Sequence, residues 1–117
     1  MNFILKNEKG RAIYAAQSYL KGELIEICPV IFTLYKSKED PLFDYVFQWS
    51  DDYQAIALGH GSIYNHSFNP NAKYIKDINS NTIIFNAYID IKIGEEITIN
   101  YNGDPEDKTL VWFSVKN

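Results

Sequence analysis

What this sequence has little of narrows it first. Cys28 is its only cysteine. That excludes an intramolecular disulfide and a cysteine zinc cluster, which needs several thiolates. Histidine is nearly as scarce, with two in 117 residues. His60 and His66 have no cysteines nearby to complete a set of three or four ligands, so no metal is expected. Basic residues are outnumbered, 11 Lys+Arg against 15 Asp+Glu, for a formal net charge of −4. This speaks against direct nucleic-acid binding, which needs Lys and Arg clustered on one face. It suits a Lys- or Arg-rich partner, and equally plain solubility. No apolar run approaches a membrane span, and the one at the N-terminus is too short for a signal peptide. A reducing, cytoplasmic setting is the natural expectation.

What is present describes one small folded domain. Hydrophobic content of 46% and charged content of 22% are those of a globular chain, and this length is that of a single domain. Aromatics reach 15%, with nine tyrosines. Tyrosine suits a wall that must be apolar along its length and polar at its tip.

Periodicity predicts short strands and very little helix. Residues 3–6 and 11–15 flank a turn ending at Gly10, and 24–28 form a strand that stops at Pro29. Residues 72–77 and 82–88 flank the turn 78–81 as a hairpin, and 96–101 make a last strand. Over 40–49 a short helical turn competes with extended structure, which the alternating aromatics at 43, 45, 47 and 49 favour. One pattern occurs twice. Gly22-Glu23-Leu24-Ile25-Glu26-Ile27 and Gly94-Glu95-Glu96-Ile97-Thr98-Ile99 share Gly-Glu-x-Ile-x-Ile, a glycine turn feeding an alternating strand. The echo suggests a pseudo-symmetric β structure.

The candidate site is the stretch 57–72, where Gly, Asn and Pro interrupt both periodicities. Dense polar loops on a β scaffold are where sites concentrate. The Asn65 amide both donates and accepts, and could hold an amino or carboxylate group of a ligand. His66 could act as a base. Both could instead satisfy the loop's own backbone.

Asn65-His66-Ser67-x-x-Pro70-Asn71 followed by Gly94-Glu95-Glu96-Ile97-Thr98-Ile99-Asn100-Tyr101 resembles the two signature blocks of the SET-domain protein-lysine methyltransferases. Lys9-Gly10-Arg11-Ala12-Ile13-Tyr14-Ala15 and Lys21-Gly22-Glu23-Leu24-Ile25-Glu26 are similar to that family's upstream elements, in its order. The compact length resembles the minimal viral and bacterial members. The resemblance implies a mainly β fold, a β-clip of several small sheets with a pseudoknot-like C-terminal crossing. It implies one domain over residues 1–117, with 102–117 as a C-terminal lid.

The resemblance also implies an activity and its parts. S-adenosyl-L-methionine would donate a methyl group to a lysine ε-amine of a protein or peptide, with histone tails among the candidates. Nuclear or host-chromatin action is open for a viral member, and so is a homodimer. Tyr101 and Tyr74 would be the active-site tyrosines. Gly10, Arg11, Ala12, Asn65, His66 and Tyr101 would hold the cofactor. In place of the Cys-rich zinc segment that closes the site in many members, this chain has the aromatic run 109–113, from which Trp112 or Phe113 could fold over the adenine or simply anchor the tail. Tyr45, Phe47 and Tyr64 are candidates for the wall of the lysine channel. Ala12 departs from the family's usual Gly-x-Gly, and its methyl would weaken cofactor binding if the backbone there needed positive φ. A non-catalytic module that binds a lysine-rich tail or the cofactor is the alternative. The acidic residues Glu39, Asp40, Asp44, Asp51 and Asp52 could attract a basic substrate tail, or form a plain solvated loop, the commoner outcome for such a run.

Overall fold

The computed structural model describes residues 2–7, 10–34, 39–50 and 52–109. They form nine strands and a single 3-10 turn. β1 (Phe3–Asn7) and β2 (Gly10–Tyr14) make one small antiparallel sheet. β3 (Leu24–Leu34), β4 (Val46–Gln48), β5 (Tyr53–Ala57), β7 (Ala72–Asp77) and β8 (Thr82–Ala87) make the main sheet, in the order β4-β5-β3-β8-β7. β6 (Asn65–His66) and β9 (Thr98–Ile99) pair in parallel as a third sheet. Over 40–49 both competing readings hold in succession, because the 3-10 turn Phe43–Tyr45 leads straight into β4.

Two boundaries differ from the sequence reading. β3 does not stop at Pro29 but continues to Leu34. Pro29 sits where the strand changes partners, paired with Thr82 of β8 as the last residue of that ladder, before Val30 pairs with Ala57 of β5. Its missing N–H is not called on there, while its carbonyl accepts Leu58 N–H at 2.9 Å. The last strand shrinks from 96–101 to two residues, since Glu96 makes only an isolated bridge to Tyr14 and the chain turns at Tyr101. The hairpin falls where expected. Its turn closes on Asn81 at φ 55, a conformation asparagine tolerates.

The repeated motif is a repeat in space. Gly22 and Gly94 have φ of 91° and 89°. Gly22 N–H donates to Ala87 O and Gly94 N–H to Ala15 O, each at 2.8 Å, and Ala87 and Ala15 return bonds to Glu23 O and Glu95 O, each at 2.9 Å. Inside each turn the Glu side chain caps the backbone three residues earlier, Glu23 on Leu20 N–H at 2.8 Å and Glu95 on Lys92 N–H at 2.6 Å. Tyr19 and Ile91 pair with each other, and Lys21 N–H on Asp90 matches Ile93 N–H on Ser18. Residues 13–25 and 85–97 are thus related by an approximate twofold axis between Tyr19 and Ile91.

The core lies beneath this axis. Ile13, Tyr19, Tyr64, Ile83, Phe85, Ile91, Ile97 and Ile99 are buried together. At about 1.5–3 kcal/mol for each large apolar side chain removed from water, this cluster fixes how the three sheets meet. Phe85 is fully buried and packs on Phe47, Tyr64 and Tyr74 at centroid distances of 6.4, 4.8 and 6.0 Å. The core therefore ends in a wall of aromatic rings.

Candidate active site

The parallel β6–β9 pair joins the two motif blocks. Asn65 faces Thr98 and His66 faces Ile99, and Ser67 N–H extends the contact to Ile99 O at 2.9 Å. Asn71 staples the same junction, its amide donating to Glu96 O at 2.8 Å and its side-chain oxygen accepting Thr98 N–H at 2.9 Å. Beyond β9 the buried Asn100 holds the next turn, donating to Asp107 O and accepting Asn102 N–H. Tyr101 is delivered by that turn. Its backbone N–H donates to His66 Nδ1 at 2.9 Å and its phenol donates to Tyr64 O at 2.7 Å.

His66 is consequently a latch. Its ring is 3% exposed, edge-on to Phe68 and tilted on Tyr101 with centroids 5.2 Å apart. Accepting at Nδ1, it fixes the turn that carries Tyr101, and its side chain is committed to the protein. Asn65 is placed differently. Its Nδ2 donates to Arg11 O at 2.9 Å and to Glu96 Oε2 at 2.8 Å, and both bonds leave its side-chain carbonyl with acceptor capacity. Arg11 O, Asn65 Oδ1 and the Glu96 carboxylate together form an acceptor-rich, anionic set suited to a cation. Ala12 lies on β2 opposite Leu5, fully buried. Asn81 is the one described non-glycine residue with positive φ, so Ala12 carries no strain of the kind its methyl would create.

On the other side of Tyr101 is a cavity of about 490 Å³. Tyr45, Phe47, Tyr64, Tyr74 and Tyr101 line it together, with Gln48, Gln54 and Asn102 among the polar contributors. Phe47 and Tyr74 meet edge to face at 5.0 Å. The Tyr74 phenol donates to Tyr101 O at 3.3 Å, and burial pushes its pKa up to about 12, so it stays a neutral donor. Arg11 reaches the same wall, donating to the Tyr45 phenol at 3.2 Å with its guanidinium 5.7 Å from the ring centre. Lys76 is the one charged residue among the described lining residues. It donates to Gln48 O, and burial lowers its pKa. No described carboxylate lines this cavity to hold an incoming amine in its protonated form.

Several contributors escaped the sequence reading, Gln48 and Asn102 among them. Glu96 was legible only as a strand residue, although its carboxylate supports Asn65. Lys76 and Gln54 reach the cavity from β7 and β5 through side-chain alternation, which becomes readable once Tyr74 is assigned inward. Trp112 and Phe113 lie outside the described residues, as does Asp51. The tail is fixed as far as Thr109, whose carbonyl accepts Asn102 Nδ2 at 2.7 Å, and by Lys108, which donates to Phe68 O. Among the described residues no cluster of His, Cys, Asp and Glu could hold a metal ion.

Known proteins share this architecture. The sequence profile of the SET domain matches residues 10–102. A relative from Schizosaccharomyces pombe, named as a histone-lysine N-methyltransferase specific for H3 lysine-37, is 35% identical over 98 residues, 80% of this chain and 67% of that protein. A crystal structure from Plasmodium falciparum, described as a candidate histone methyltransferase, superposes with a TM-score of 0.73 at 33% identity. That match covers 86% of this chain and 91% of that one.

Proposed function

Starting from a chain that belongs to the SET-domain family and is a protein-lysine methyltransferase, we propose that Tyr101 is the pivot of its active site, between a cofactor pocket at Asn65 and a lysine channel in the aromatic cavity. The observation that carries this reading is the pair of bonds from Tyr101, backbone to His66 Nδ1 and phenol to Tyr64 O. They lock it between the two residues that flank Asn65.

SET-domain methyltransferases use S-adenosylmethionine, whose sulfonium supplies an already activated methyl group. The acceptor set of Arg11 O, Asn65 Oδ1 and Glu96 suits its ammonium and sulfonium charges, and Gly10 and Ala12 would flank it on β2. The His66 contribution is made by its backbone, because its side chain is committed to Tyr101 N–H. On the channel side, Tyr45, Phe47 and Tyr74 take the alkyl stem of the target lysine. Apolar walls with no carboxylate among the described lining residues disfavour the ammonium form of a group whose pKa in water is about 10.4. A nearby positive charge disfavours it further. The protein's task is then alignment. The Tyr101 phenol donates to Tyr64 O, which fixes its oxygen at the cavity wall, where it would orient the amine and the methyl group. The relatives' names favour a histone tail as substrate, and the net charge of −4 suits a basic peptide.

The test is Tyr101→Phe. We expect kcat on histone or total-protein substrates to fall about a hundredfold, the scale for losing one preorganised polar group at a reacting centre, with little change in half-saturation by S-adenosylmethionine. An undiminished rate would remove Tyr101 from this role.

A further inference from the structure

Glu26 is half-buried on β3, and its carboxylate bonds the segment that leads into β6 as well as the neighbouring Cys28 thiol. Its Oε1 accepts the Tyr64 phenol at 2.8 Å and its Oε2 accepts His60 N–H at 3.1 Å. The segment is shaped for this approach. Gly59 has φ +66, and a Cβ there would stand 2.3 Å from Glu26 Oε2. A carboxylate-bonded phenol inside the core keeps its proton, and desolvation followed by the Glu26 charge raises the Tyr64 pKa. Tyr64 is thus the donor in its bond to Glu26.

The same residue meets the reaction through its backbone. Tyr64 O is the acceptor of the Tyr101 phenol at 2.7 Å. The Tyr64 ring packs against Phe85 at 4.8 Å, which restrains its face, while Glu26 alone among the described residues bonds its tip. We propose that Glu26 is a positioning residue for methyl transfer: by clamping the Tyr64 side chain it fixes the Tyr64 carbonyl and, through it, the direction of the Tyr101 phenol. It touches neither substrate nor cofactor. The proposal rests on the role given to Tyr101 above.

A double-mutant cycle separates this from a purely structural role. Kinetics are measured on Glu26→Ala, Glu26→Gln, Tyr64→Phe and Glu26→Ala with Tyr64→Phe, each checked for a native near-UV signal. Glu26→Ala and Tyr64→Phe should each lower kcat about tenfold with the S-adenosylmethionine KM little moved, the scale of one lost buried hydrogen bond. Glu26→Gln keeps an acceptor oxygen for the phenol and should recover most of the rate. The double variant should be no slower than either single one, since both break the same link. Losses that multiply to about a hundredfold in the double variant, or a KM that moves while kcat holds, overturn the proposal and leave Glu26 acting through His60 or the loop. If Glu26→Ala does not fold, Tyr64→Phe decides alone, and a wild-type kcat there overturns the proposal. Tyr101→Phe run alongside keeps the two ideas apart. A full rate in that variant removes the premise, whereas a slow Tyr101→Phe beside fast Glu26 and Tyr64 variants removes only this inference.

Discussion

The two copies of the turn-and-strand unit start alike and end differently. Through Gly22-Glu23 and Gly94-Glu95 they match bond for bond, down to the Glu cap at each turn. The next residue divides them. Leu24 in the first copy is 51% exposed and pairs with Asn86, whereas Glu96 in the second bridges Tyr14 and turns its carboxylate onto the Asn65 amide. The first copy then runs on as the eleven-residue β3. The second breaks off after Thr98–Ile99, pairs with β6 and turns to present Tyr101. The second copy, whose strand stops after two residues, is the one that contributes Glu96 and Tyr101 to the site.

The largest test exchanges that dividing residue. Glu96→Leu makes the second copy resemble the first and removes a charged hydrogen bond to Asn65, typically about 1.5–3 kcal/mol. We expect S-adenosylmethionine binding, followed by calorimetry, to weaken roughly ten- to a hundredfold. Leu24→Glu at the matching exposed position should leave affinity unchanged and stability within about 0.5 kcal/mol. Equal effects from both exchanges would mean that Glu96 serves the fold and not the pocket.

Much of this was legible in the chain, for identifiable reasons. The hairpin 72–87 could be placed because its turn ends in an asparagine that tolerates φ 55. The repeat could be read because a positive-φ glycine followed by a capping glutamate is a local code. The meeting of Asn65 with Tyr101 was not local, and it came from the resemblance of ordered motifs rather than from periodicity. Pro29 misled because a proline inside a ladder ordinarily ends it, and nothing in sequence shows that β3 changes partners at that residue. Glu96 and Glu26 stayed hidden for a common reason. A glutamate within an alternating strand reads as a solvent-facing residue until the element that packs over it is known.

The two glycines sharpen the comparison at the next level down. A Cβ at Gly22 or Gly94 would meet nothing within 4 Å, so substitution strains only the backbone. Gly22→Ala and Gly94→Ala should each cost about 1–2 kcal/mol in denaturant unfolding, the penalty of a left-handed conformation for an L-residue. Equal stability losses with unequal function are the expected outcome. Only Gly94→Ala, two residues before Glu96, should raise the S-adenosylmethionine concentration needed for half-saturation.

The smallest effect concerns Cys28, whose counterpart in the second copy is Asn100, a group that does not titrate. Burial, and then the neighbouring Glu26 charge, push the Cys28 thiol from 9.0 up to about 12. The folded state thus keeps a proton that the unfolded chain releases above pH 9, so the unfolded state binds fewer protons there and stability must fall with rising pH. The contribution is complete below pH 9 and is lost progressively as the pH climbs toward 12. Tyr74, raised by burial from 10.0 to about 12, adds a similar loss that begins near pH 10. Denaturant midpoints measured from pH 8 to pH 11 should therefore decline, and Cys28→Ala should make the decline shallower by removing its earlier part. A Cys28→Ala variant with the wild-type slope would show that the thiol ionises as readily in the fold as outside it, and that this end of the first copy is more open to water than its packing implies.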